Sequence, residues 1–206
     1  MGETIAAADG IHLSGPAHAV VHGNVIAGNK GRGVDVDKGS VAQIYDNVIE
    51  RNEGGGIHIT ESSMARIGFL IPPQPRLQPN QIRHNGSYGI LIERGSTARI
   101  VGNRIEANDG AGVTVDRSSE ADVAANTIGG NSGDAVLVTR NSGVNLSSER
   151  ERPTDGPNMT DPALNNRGLA VRCEIGGYVA GPLGTLGGTA GMKAFDHTCV
   201  DRVTTR

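Results

Sequence analysis

The sequence predicts an all-β chain wound as a β-solenoid of about six coils, each 23 residues long. Gly-aliphatic pairs recur at Gly10-Ile11, Gly33-Val34, Gly56-Ile57, Gly89-Ile90 and Gly112-Val113, and Ala135-Val136 closes the series. Successive pairs lie 23 residues apart, except for one interval of 33 that carries ten extra residues at "FLIPPQPRLQ", 69–78. Two columns in the same register are pure asparagine. One is Asn24, Asn47, Asn80, Asn103 and Asn126; the other, five residues on, is Asn29, Asn52, Asn85, Asn108 and Asn131. Self-similarity at a fixed period is the mark of a repeat architecture.

Each coil reads as short strands separated by corners. The first strand carries the column Leu13, Val36, Ile59, Ile92, Val115, Val138. The second carries small residues from Ala19 through Ala121, and beside them Val21, Ile44, Ile67, Ile100, Val123 and Leu146. The third carries Ile26, Ile49, Ile82, Ile105 and Ile128. Apolar residues alternate within the strands, at 11 and 13 and again at 19 and 21, which is the period of a strand and not of a helix. Gly and Asn fall between strands, where both tolerate the left-handed backbone of a sharp corner. A stacked asparagine can also donate and accept between coils. Coils spaced about 4.8 Å apart would each bury some four aliphatic side chains, worth roughly 1.5–3 kcal/mol apiece before entropy.

After Leu146 the register is lost. Three regions follow: the solenoid over 1–146, a polar linker along the surface over 147–166, and a segment over 167–206 with strand-like runs that caps the open end. Only nine residues precede the first coil, so its edge is expected either to stack on a second copy or to continue a longer helix. The insertion 69–78 alternates apolar residues with prolines and is expected to fold back over a coil corner. Cys173 and Cys199 either form one bridge or stay two buried thiols.

Composition narrows function. The net charge of −3 leaves no electrostatic footprint for nucleic acid. No apolar run approaches a membrane span, and the first residues lack the pattern of a secretory signal. Aromatics are only 2%, so a sugar ligand would be held mainly by polar and acidic side chains. Acceptor patterns for glycosylation begin at Asn85, Asn145 and Asn158, a motif common by chance.

The pattern G-I-x-V-x-x-G-S-x-A-x-I-x-x-N-x-I-x-x-N over residues 10–146 resembles the right-handed parallel β-helix repeat of the pectin-lyase-like superfamily. That resemblance implies a right-handed parallel β-helix and an extracellular or cell-surface protein. It leaves activity open, because the superfamily holds lyases, hydrolases, epimerases, tailspikes and non-catalytic surface proteins.

With residues 11 and 13 inward, His12, Asp35 and His58 point outward on successive coils, and Asp37 lies two residues along. In the superfamily such a face commonly holds the active site. A uronate lyase or epimerase would use His12 or His58 as base, and Asp35 with Asp37 would hold a calcium ion. No other cofactor or metal is called for. The departures are specific: Arg32 and Gly33 stand where a hydrolase has an acid pair, and "YGILIE", 88–93, keeps only the tyrosine of an epimerase motif. Tight corners also leave little to exclude water. The face therefore reads as a ligand-binding surface of Thr60, Glu61, Glu93, Arg94, Asp116 and Arg117 on a non-catalytic scaffold for carbohydrate or protein. A polysaccharide-active enzyme using His12, Asp35, Asp37 and His58 is the alternative. A structural segment of a larger β-helical assembly is another.

Overall fold

The computed structural model describes residues 8–68, 79–147 and 156–205. The expected insertion loop, 69–78, lies outside the described residues. The chain winds through three parallel sheets. Sheet A begins at Ile11–Leu13, sheet B at His18–His22 and sheet C at Val25–Ala27; the first five coils each add one strand to every sheet in order, and the later coils add to sheets A and B. Sheets A and B have eight strands and sheet C has five among the described residues.

Register follows the sequence columns. Ile26 pairs with Ile49, Ile49 with Ile82, Ile82 with Ile105 and Ile105 with Ile128. The aliphatic rungs from Val34 to Val138 are closed to solvent. Like stacks on like because a 23-residue repeat returns every inward residue to the same place, one strand spacing along the axis.

The corners correct one expectation. The left-handed residue is the one before each asparagine, not the asparagine. Gly23, Asp46, Gly102 and Ala125 take positive φ before the first ladder, and Gly28, Arg51, His84, Ala107 and Gly130 before the second. The asparagines are kept for their side chains. Asn103 Nδ2 donates to Asn126 Oδ1 at 3.0 Å and to the Ile67 carbonyl at 2.9 Å. The Gly column has a different cause. A Cβ on Gly89 would sit 2.5 Å from Ile105 Cγ2 and 2.6 Å from the Gly112 carbonyl oxygen, so the corner admits only hydrogen there. In the sixth coil, where Ala135 replaces glycine, the bridge between Thr127 and Met159 puts the smaller Thr160 in the isoleucine column.

The solenoid also runs beyond six coils. Leu169–Glu174 and Gly191–Phe195 extend sheet A; Tyr178–Pro182 and Val200–Thr204 extend sheet B. In the stretch expected to be a linker, Asn158 accepts from Asn126 at 3.0 Å and Asn166 accepts from Asn131 at 2.9 Å, so both ladders continue through it. Irregular spacing hid these coils, since the sixth gains residues between its second strand and Asn158. The same ladders bury Asn85 and Asn158, which leaves Asn145 as the exposed member of the three glycosylation patterns. Cys173 and Cys199 form a disulfide across 26 residues, closing a loop worth about 3.5 kcal/mol on the chain-entropy model.

The eighth coil, the last among the described residues, carries charge in its core columns. Lys193 falls in the core column of Ile57, Ile90 and Val171, and Asp201 in the column of Ala98, Ala121 and Val179. Lys193 Nζ lies 2.6 Å from Asp201 Oδ2 and 5.8 Å from the Phe195 ring centre. An ion pair at that end discourages another apolar coil from docking. Replacing both residues by valine is expected to raise the association state of the chain, seen as a faster-sedimenting species in analytical ultracentrifugation. An unchanged sedimentation profile would mean that the pair does not guard this end.

Candidate functional site

Sheet A's outer face is where the chemistry-bearing residues gather. Residues 12, 35, 58 and 91 form one outward column, because each follows the first inward residue of its strand. Residues 14, 37, 60, 93 and 116 form the next. From the second coil to the seventh, the corner after the strand holds two successive left-handed residues, as at Arg94-Gly95, Arg117-Ser118 and Arg140-Asn141. An arginine thus occupies a conformation usually left to glycine.

His58 sits at the centre. Its Nδ1 is 2.7 Å from Asp35 Oδ1 and its Nε2 is 3.2 Å from Glu93 Oε1. Both contacts are hydrogen bonds only when the ring holds two protons or when one carboxyl holds the missing one. Asp35 also accepts from Arg32 Nη1 at 3.2 Å. Arg117 pairs with Glu93, and Arg94 reaches both Glu93 at 3.7 Å and Glu61 at 3.6 Å. Asp116 takes a two-pronged grip from Arg140, with both bonds at 2.7 Å, and lies 3.9 Å from Arg117. His12 Nε2 is 3.0 Å from Asp37 Oδ2 and 3.7 Å from Asp35 Oδ2.

The structure thus brings the residues expected from sequence into one connected network, with the exception of Thr60. Thr60 is buried on the same face, and its hydroxyl has no hydrogen-bond partner among the described residues. The environment differs from the expected wet exterior: His58 is 3% exposed, Asp35 5% and Glu93 7%. Long side chains from neighbouring coils lie over them, so a flat sheet still excludes water. His12 alone of the two histidines is open to solvent. Burial pushes the Asp35 carboxyl up, but the hydrogen bond from His58 and the charges of His58, Arg32 and His12 outweigh it and hold it below the usual range. Asp37 is held low in the same sense: burial raises it, while bonds from Ser14 and His12 lower it further.

Asp9, Arg32 and Tyr88 belong to the network and were not picked out as its members from the sequence. They fall in one column, 9, 32, 55, 88, that precedes the Gly-aliphatic pairs. Gly55 leaves a gap there. A Cβ on Gly55 would meet the Tyr88 ring at 2.1 Å, so the ring lies flat across it and its hydroxyl accepts from Arg32 Nε at 3.2 Å. Burial pushes the Tyr88 phenol above its usual value, and the bond from Arg32 only partly offsets this. Reading that column for mutual reach would have found the group.

The donor set does not suit calcium. Ligand atoms of Asp9, His12 and Asp35 lie within 4.8 Å of one another. Yet Arg32 stands 3.8 Å from Asp9 and 3.2 Å from Asp35, and Asp37 is turned to His12. Calcium needs six to eight oxygens, roughly, and this group sets an imidazole and a guanidinium beside its two carboxylates.

Fold and face together define a parallel β-solenoid with an internally neutralised outer wall. Residues 4–150 match the family model described as the right handed beta helix region. The chain belongs to that family, which is consistent with the pectin-lyase-like superfamily. No curated protein matches it.

Proposed function

We propose that the chain is a non-catalytic, exported β-helix scaffold that binds carbohydrate on an outer face. One observation carries this reading. The groups that would do acid–base work on sheet A are engaged with one another: both His58 nitrogens face carboxylates, and the ring is closed to solvent. A base must reach the proton it removes. Arg94, Arg117 and Arg140 are about half exposed and keep outer N–H donors for a ligand's hydroxyl or carboxylate groups. The Cys173–Cys199 disulfide supports an oxidising compartment. No helix among the described residues is long and apolar enough to cross a membrane. The charged eighth coil argues against stacking into a longer assembly through that end.

An enzymatic reading rests on His12, which is solvent-exposed and held by Asp37 at 3.0 Å. The two are separated by a glycan array combined with assays of pectin, polygalacturonate and alginate for unsaturated product and reducing ends. Retention without turnover is expected. Turnover that disappears in His12→Ala would replace the binding reading with the enzymatic one, and no retained glycan would remove it.

A further inference from the structure

The eighth coil is a thin cover on a well-packed seventh. In the seventh, Leu169, Val171, Cys173, Val179, Leu183 and Leu186 are buried. In the stretch that follows, no residue from 187 to 205 is buried; Phe195, Cys199 and Val203 are partly so and pack on the core from one side. Backbone pairing holds Gly191–Phe195 to Leu169–Glu174 and Val200–Thr204 to Tyr178–Pro182. The Cys173–Cys199 disulfide ties the two coils together covalently.

The core columns run the length of both sheets, so the two ends of the solenoid can be matched residue by residue. The column that reaches Lys193 starts at Ile11. The column that reaches Asp201 starts at Ala19. Among the described residues, Ile11–Leu13 and His18–His22 are the end strands of their sheets, and the outer backbone groups of an end strand are a template for another strand. Set on the seventh coil in place of the eighth, the first coil would lay Ile11 over Val171 and Ala19 over Val179. The chain's own cover lays an ammonium and a carboxylate there. Apolar side chains are the better match for an apolar rung. The sense of pairing is unchanged, because every coil meets the next in parallel.

We propose that the end of the seventh coil is an assembly surface for the first coil of a second copy, and that the Cys173–Cys199 disulfide controls whether that surface is open. Oxidised, the disulfide holds the eighth coil over it. A dithiol opens the disulfide in two steps. One thiolate attacks Sγ of Cys199, the partly exposed partner, and the buried Cys173 leaves as a thiolate. The second thiol then displaces Cys199 from the mixed disulfide, so the dithiol ends as its own disulfide and both cysteines end as thiols. The cover then keeps its backbone pairing and its connection through Gly187 and Gly188, and the first coil of another copy displaces it. Such a contact joins head to tail and repeats from copy to copy. The capped form belongs to an oxidising compartment and the open form to a reducing one.

The test is analytical ultracentrifugation of the full chain over a concentration series, oxidised and with dithiothreitol, beside hydrogen exchange read by mass spectrometry. The oxidised chain is expected to sediment as a single species. The reduced chain is expected to form larger species that grow with concentration. Its amides over 191–204 should exchange at least tenfold faster than in the oxidised chain, while those of the first six coils keep their rates. Ile11→Lys together with Ala19→Asp copies the charged pair onto the first coil. Reduced, this variant should show the same fast exchange over 191–204 and remain unassembled. The wild-type measurements need no substitution and decide the matter even where the double variant fails to fold. A reduced wild type that exchanges fast over 191–204 and does not associate would show that no first coil takes the cover's place, which overturns the proposal. So would a cover that keeps its protection on reduction, an oxidised chain that associates as strongly as the reduced one, or a folded double variant that assembles like wild type.

Discussion

Replacing Asn103 by alanine is expected to destabilise the fold by about 3–4 kcal/mol, far more than the same change at Asn24. Asn103 is 2% exposed and works in both directions along its ladder. Its Oδ1 accepts from Asn80 Nδ2 at 2.8 Å, and its Nδ2 donates to Asn126 Oδ1 and to the Ile67 carbonyl. Alanine strands the Ile67 carbonyl and one donor of Asn80, both beyond the reach of water. Each buried group left unpaired costs about 1–3 kcal/mol. Asn24 is exposed at the first rung, where water can replace what is lost. Its partner Asn47 Oδ1 would still accept from the Asn24 backbone N–H at 3.1 Å. Asn103→Asp should do no better than alanine, since it keeps the acceptor for Asn80 but sets a buried carboxylate beside Asn126 Oδ1. Chemical denaturation of the three variants reads this directly. Equal costs at Asn103 and Asn24 would show that backbone pairing holds the coils without the amides.

Much of the fold could be read from the sequence because a solenoid writes its geometry into a single period. Once Gly33, Gly56 and Gly89 are aligned, every inward column follows, and the isoleucine stack was legible to the residue. What escaped lies where the period slips. The sixth coil's long connection sets Val171 35 residues after Val136, and the eighth coil follows at 22, so Leu169–Glu174 and Val200–Thr204 carry strand pairing without the 23-residue spacing. Lys193 and Asp201 look like surface residues in sequence, because nothing local says that they stand in core columns. The outward face was legible as a set of residues, and its state was not. Alternation says which way a side chain leaves the sheet; it does not say that Arg32, Tyr88 and Glu93 will close over it. Tyr88 reaches Arg32 only because Gly55 is empty between them, a relation across two coils that no single-strand pattern contains.

His58→Leu is expected to cost about 3 kcal/mol, and to cost more at neutral pH than in acid. The ring bridges two carboxyls that are nearly closed to solvent. Leucine roughly keeps the volume but leaves Asp35 Oδ1 and Glu93 Oε1 facing an apolar side chain, and breaking a buried ionic contact on one side costs about 3–5 kcal/mol. Arg32 and Arg117 stay on the other sides of the two acids and soften the loss. Adding Asp35→Asn to His58→Leu should return part of the stability at neutral pH, because no stranded charge remains there. The pH dependence has a definite sign. In the wild type Asp35 titrates below its ordinary value of 3.8, so the unfolded chain takes up the proton first. Asp35 then contributes stability above that value, and the contribution is lost as pH falls toward its folded value. In His58→Leu the hydrogen bond that lowers Asp35 is gone while burial, which raises it, remains. Its acid-induced loss should shrink, and the two stability curves should converge as pH drops. Urea denaturation of wild type and variant at neutral pH and near pH 3 tests this. Parallel curves at both pH values would mean that His58 contributes packing alone, and the central link of the sheet A network would then carry no ionic weight.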